Sequence, residues 1–255
     1  MDQQPGQARK VADDLRRRIV SGELAVGARL PARHELAAQY NVAEGSARDA
    51  VRTLGREGLV ITRSGAGTFV RDRGAIRILN RTWFRERRGG SPFAADLLQQ
   101  GREGTWTYAS DSVQAPPEIR ARLALDEPAD GRTPDVMRTR YLFSSGGSPW
   151  MASISHEPLE LIRGTEIALP EAGPLAGQGV THRMAAIGIM VDDWREEVGA
   201  RIASADEAKS LAIAAESIVL VVERSYMAGA RVVECATMVL PADTMRLGYS
   251  GPVGE

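Results

Sequence analysis

The chain has 255 residues, enough for two domains of ordinary size. Hydrophobic residues make up 43% and charged residues 25%, and the longest apolar runs fall far short of a membrane span. The polar N-terminus has no signal-like apolar core, so a cytoplasmic location is expected and a membrane partner is not. The net charge of −1 conceals an asymmetry: residues 1–73 hold 13 Arg/Lys against 9 Asp/Glu, and the remainder hold 19 against 24.

Val11, Leu15 and Ile19 recur at four-residue spacing, so they share one face of a first helix that ends at Ser21-Gly22. Gly27 and Pro31 punctuate a loop, and Leu36, Ala37 and Tyr40 give a second helix its apolar side. Ala47, Ala50, Val51 and Leu54 make the stripe of a third helix, whose other side carries Ser46, Arg48, Asp49 and Arg52. Gly58 closes it. LVIT (59–62) and TFVR (68–71) then read as two strands turned through Gly65 and Gly67. GAGTF opens no helix and has no Lys-Ser/Thr behind it, so it is not a nucleotide loop. A compact helix-helix-helix-ribbon unit usually presents one helix to the DNA major groove with a β-wing beside it.

Residues 74–104 read as a connector with a short helix between glycines, and Trp83, Phe84 and Phe93 are expected to pack on one domain or to order with a ligand. Beyond it come a strand at 105–113, a helix at 116–125 and a strand at 135–143, which turns through GGSP into 149–155. A helical stretch covers about 174–186, and a capping box at Ser204–Glu207 opens a helix over 205–212. Residues 217–227 and 232–240 form a hairpin. The expected class is α+β, with a mainly antiparallel sheet in the second domain. Cys235 cannot make an internal disulfide, and the three histidines (His34, His156 and His182) are not spaced as metal ligands. No catalytic constellation stands out, so neither enzyme activity nor a cofactor is expected.

RRRIVSGEL, LPARHELA, VRTLGREGLV and SGAGTFV, in that order over about 60 residues, resemble the winged helix-turn-helix domain of the GntR family of bacterial transcription regulators. The resemblance implies double-stranded DNA as a partner, with Arg33, His34, Glu44, Ser46, Arg48, Arg52, Arg63, Gly67 and Thr68 as contact residues. Arg48 keeps a family position that faces DNA. Arg33-His34 stands where the family has an acidic-Arg pair, and Ala43-Glu44 stands where it has Ser/Thr-Arg, so the family's operator does not carry over. Glu44 can accept from cytosine N4, or can simply sit at the positive end of the helix dipole.

APPEI, RTRYLFSSGGSPW, ASADEAKSLAI and VLVVERSYMAGARVVECATMVLPAD together resemble the UTRA domain of the HutC subfamily, whose fold is like chorismate lyase, over about residues 104–245. The implied organisation is a DNA-binding domain at 1–73, a linker at 74–104 and an effector-binding and dimerisation domain at 105–255. The implied effector contacts are Phe93, Arg138, Arg140, Ser153, Thr181, His182, Arg183 and Glu234. Arg138 and Arg140 lie two apart on a strand and share a face, so they can clamp an anionic group, or can pair with Glu157 or Glu223 across the sheet. Glu234, in an apolar run, needs a partner if it points inward; a ligand or Arg138 would serve. Gly179, Thr181 and Ala94 depart from the members that bind phosphosugars. The resulting expectation is a homodimeric repressor, released from a palindromic operator by a small metabolite, an anionic one if the Arg138–Arg140 clamp is used. Two rivals stand beside it: a lyase-like enzyme with a DNA-binding head, and a constitutive DNA-binding protein whose second domain only dimerises.

Overall fold

A computed structural model of the chain describes residues 5–63, 65–71, 76–82, 90–128 and 132–251. Trp83 and Phe84, and the side chain of Arg63, lie outside the described residues. The contacts divide the chain into two compact units. One holds residues up to Arg77 together with Ile202–Val219 and Ala242–Thr244; the other holds the rest.

In the first unit, helices α1 (Pro5–Val20), α2 (Arg33–Tyr40) and α3 (Glu44–Arg56) are followed by the strand pair β1 (Val60–Arg63) and β2 (Gly67–Val70). Val11, Ala12 and Leu15 of α1 meet Leu36 and Ala37 of α2 and Ala47, Ala50 and Leu54 of α3 in one core, closed by Leu59, Val60 and Val70. The apolar stripes seen in the sequence are therefore its inner faces. Arg16 of α1 and Glu57 after α3 are joined by two hydrogen bonds, and the Tyr40 hydroxyl donates to Asp14 at 2.7 Å. Helix α2 starts without a side-chain cap from Ala32; the Glu35 carboxylate instead accepts from the Ala32 N–H at 2.6 Å.

The second unit is built on a six-stranded sheet in the order β4-β5-β6-β9-β8-β7. Its strands are β4 (Thr105–Val113), β5 (Val136–Ser145), β6 (Ser148–Pro158), β7 (Asp193–Ile202), β8 (Ile218–Ala228) and β9 (Arg231–Pro241). The β4–β5, β5–β6 and β6–β9 pairs are antiparallel, with Tyr141 opposite Ser153 and Ser153 opposite Met238. Helix α5 (Pro117–Leu123) covers one face, where Ile119 and Leu123 pack with Val136 and Cys235. Its Arg122 donates to the carbonyls of Arg224 and Ala236. Helices α4 (Pro92–Gln99), α6 (Leu159–Ile162) and α7 (Val180–Ala186) belong to this unit, whereas α8 (Ala205–Ser210) falls in the first.

Two elements differ from the sequence expectation. The connector holds a strand, β3 (Arg77–Thr82), which pairs with a terminal strand, β10 (Met245–Ser250). Neither shows a local hairpin signal, because the partners lie more than 160 residues apart. The helical stretch expected over about 174–186 is split, with a single short turn at Gly173–Leu175 followed by α7.

Candidate DNA interface and ligand cavity

Helix α3 carries Glu44, Arg48 and Arg52 at four-residue spacing on its exposed side, while Ser46, Ala47, Ala50 and Leu54 are buried. Ser46 is 8% exposed and so lies on the inner stripe, away from the outward face expected of it. Arg48 and Arg52 line one concave surface with Arg33 of α2 and Ile61 and Thr62 of β1. Arg33 and Arg48 make no ion pair among the described residues, and Arg52 is held by Asp49 at 3.2 Å. His34 and Glu44 are exposed beside this surface, with Glu44 in the first turn of α3. Arg56 and Glu216 line the same surface as a pair, so four arginines stand there, two of them without an ion pair among the described residues, beside a helix face open to solvent, which suits a phosphate-lined groove.

The wing is wider than two strands. Leu30 donates to the Thr68 carbonyl, Gly27 to the Val70 carbonyl, and Arg29 bridges Phe69, so the stretch before α2 runs alongside β2. Thr68 is linked to Thr62 by a 3.0 Å side-chain hydrogen bond. Gly67 has φ +112°, a conformation that favours glycine, and a Cβ there would come within 2.7 Å of Arg29 Nε and push that exposed side chain aside. Arg29 is an exposed cation at the wing that sequence reasoning missed; its only sequence signal was its place in the loop before Pro31.

The second unit encloses a cavity of about 90 Å³ between the sheet face opposite α5 and the elements α4, α7 and the 171–179 loop. The strand alternation selects its lining: Tyr141 and Phe143 from β5, Ser153 and Ser155 from β6, Arg224 and Tyr226 from β8, Glu234 from β9. Phe93 and Trp106 complete an aromatic wall around Phe143, with ring centroids 4.9 and 6.4 Å from it. The Tyr141 ring stacks on Phe143 at 5.4 Å. The Glu171 carboxylate accepts from Trp106 Nε1 and from the Gly177 N–H, each at 3.1 Å. Burial holds the Tyr141 hydroxyl far above its ordinary pKa, keeping it a neutral donor.

Every cation of the cavity already faces a carboxylate. Arg183 (3% exposed) grips Glu157 (1% exposed) with both of its terminal nitrogens. Arg224 lies 4.3 Å over the Tyr226 ring and reaches Glu234 Oε1 at 3.3 Å. Glu234 is fully buried, and its Oε2 has no hydrogen-bond partner. Burial, opposed by Arg224, pushes its pKa up to about 6.

Of the residues expected to contact an effector, Phe93, Ser153, Arg183 and Glu234 line this cavity. Arg138 and Arg140 do not: they lie on the opposite parity of β5, where both meet Asp111 of β4. The partner of Glu234 is accordingly Arg224, and that of Glu157 is Arg183. Thr181 and His182 sit at the start of α7 outside the lining, and His182 is exposed. Trp106, Tyr141, Glu171, Arg224 and Tyr226 were missed.

A model of the gntR family of bacterial regulatory proteins matches residues 7–70, and a UTRA domain model matches residues 99–246. An uncharacterized HTH-type transcriptional regulator of Streptomyces coelicolor is 29% identical over 213 residues, covering 81% of this chain and 77% of its own. A crystal structure of a GntR-family transcriptional regulator is 40% identical, covers 98% of this chain and 99% of that one, and superposes with a TM-score of 0.70. The structure of PhnF from Mycobacterium smegmatis shares the fold at 19% identity, covering 96% of this chain and 99% of that one, with a TM-score of 0.55.

Proposed function

Because this chain belongs to the GntR family of bacterial regulatory proteins and carries a UTRA domain, it is a ligand-responsive DNA-binding regulator, and we propose that it acts as a cytoplasmic homodimeric repressor without enzymatic activity. The observation that carries the DNA side is the convergence of Arg33, Arg48 and Arg52 with the wing strand on one concave surface. Helix α3 enters the major groove through Arg48 and Arg52. Gly67 and Thr68 of the wing meet the backbone or minor groove, with Arg29 beside Gly67, and Arg63 is carried as a further contact on the family resemblance alone. Two copies related by a twofold axis would read a near-palindromic operator. A small molecule in the cavity of the second unit would favour one arrangement of the two heads over another. Coupling of this kind is typically ~1–3 kcal/mol, enough to change occupancy several-fold.

The test is sequencing of genomic fragments retained by the purified protein at near-physiological salt. A few sharp, near-palindromic sites support a specific regulator. Diffuse retention that disappears as salt rises reduces the interaction to phosphate attraction and sinks the reading.

A further inference from the structure

We propose that the ligand of this cavity is a small, non-anionic molecule that carries an N–H or O–H donor on an apolar ring or chain, rather than a phosphate or carboxylate. The inference rests on the reading of the cavity as the effector site, and names the chemistry that site accepts.

Charge pairing carries the argument. The two arginines at the cavity, Arg183 and Arg224, are each committed to a buried carboxylate, and Glu171 joins Glu234 as a second carboxylate of the lining. An entering anion would have to share Arg183 with Glu157 or Arg224 with Glu234, or displace one of them. Sharing leaves two anions and Glu171 around one cation, and displacement strands a carboxylate that is 0–1% exposed; each carries a heavy penalty. Arg138 and Arg140, the pair that could have clamped an anion, lie outside the cavity.

The acceptor side points the same way. Glu234 Oε2 is buried at the cavity with no hydrogen-bond partner, so it is an acceptor that a donor on the ligand would satisfy. The hydroxyls of Ser153 and Ser155 lie on the neighbouring strand. Tyr141, the cross-strand neighbour of Ser153, and Phe93, Trp106 and Phe143 offer ring faces that suit an apolar body or an organic cation. Size is bounded as well: a water takes roughly 10–15 Å³ of such volume, so the cavity has room for about six to nine waters or one compact molecule.

The experiment uses the full-length protein and three molecules that differ only in the polar group: benzylamine, benzyl alcohol and benzoate. Thermal midpoints and titration calorimetry are compared at millimolar ligand. Benzylamine and benzyl alcohol are expected to raise the midpoint and benzoate to leave it unchanged. A benzoate shift equal to the others, or no shift with any of the three, overturns the proposal. Glu234→Gln should weaken benzylamine by roughly tenfold or more, since it removes a charge-assisted hydrogen bond; unchanged affinity also overturns it. If Glu234→Gln does not fold, the three-ligand comparison on the unaltered protein still decides. Operator binding is not read in this assay, so a failure of the DNA reading leaves the result standing, and the converse holds.

Discussion

Arg56, in the last turn of α3, donates to Glu216 at 2.9 Å although the two lie 160 positions apart in the chain. Glu216 belongs to the turn that leads into β8 and is itself in the left-handed region at φ 64°. A second carboxylate acts likewise at the far end of the hairpin: Asp243, just after β9, pairs with Arg71 after β2 at 2.5 Å. The strands between these two anchors, β8 and β9, carry the Arg224–Glu234 pair of the cavity. The two anchoring carboxylates therefore flank the hairpin in sequence, Glu216 before β8 and Asp243 after β9, while the Arg224–Glu234 pair lies on its strands.

Glu216 stands in the concave surface formed by Arg33, Arg48 and Arg52, so its carboxylate opposes phosphate there. Glu216→Gly removes that charge, and glycine suits its φ of 64°. Both partners of the ion pair are half exposed, so little stability should be lost. Non-specific DNA binding is expected to tighten, and the slope of log K against log salt to steepen by about 0.9 for one more phosphate contact. Fluorescence anisotropy across a salt series reads both; an unchanged slope means Arg56 does not reach DNA.

Arg48 is exposed, without an ion pair among the described residues, and one helical turn from both Glu44 and Arg52. Arg48→Ala should weaken operator binding by about 1–3 kcal/mol if it reads a base, while the unfolding midpoint stays in place. Loss that is equal on operator and on random DNA would assign Arg48 to phosphate instead.

The winged unit was legible because its signals are local: four-residue stripes, a glycine turn and short loops. Ser46 shows the limit, since a polar residue beside an apolar stripe reads as outward, yet the stripe's spacing places it inside. The β8–β9 hairpin was equally legible. In β5 the alternation correctly puts Arg138 with Arg140 and Tyr141 with Phe143, but it does not say which pair faces the cavity. That depends on which face α5 and α7 take, a long-range choice that leaves the arginines with Asp111. β3 and β10 were invisible for the same reason, as their pairing spans nearly the whole second domain.

The Arg183–Glu157 pair joins α7 to β6 in the interior of the second unit. Removing one partner leaves the other buried and uncompensated, a loss of about 3–5 kcal/mol. Glu157→Ala is expected to lower the thermal midpoint by roughly 6–20 °C for a domain of this size. The double substitution Glu157→Leu with Arg183→Met should recover much of that loss, because it leaves no stranded charge. A double variant no more stable than Glu157→Ala would mean that packing, not charge, sets the cost.

Acid should weaken the fold through His156. Its side chain is buried on the α5 face of the sheet, with Nδ1 lacking a hydrogen-bond partner. Burial first, then Arg138 and Arg122, pull its pKa from 6.5 down to about 4, against the opposing pull of Glu118 and Asp111. Between those values the unfolded chain binds a proton that the native state refuses, so stability falls as pH drops from 6.5 toward 4. Glu234 acts in the opposite sense. Its pKa is raised from 4.5 to about 6, so its contribution is full below 4.5 and is lost as pH rises through 6. The histidine shift is the larger, and net acid destabilisation is expected. His156→Gln should therefore flatten the profile, and its urea midpoint at about pH 5 should stand closer to its own value at about pH 7.5 than in the unaltered protein. A variant that loses as much stability over that interval would place the acid sensitivity elsewhere.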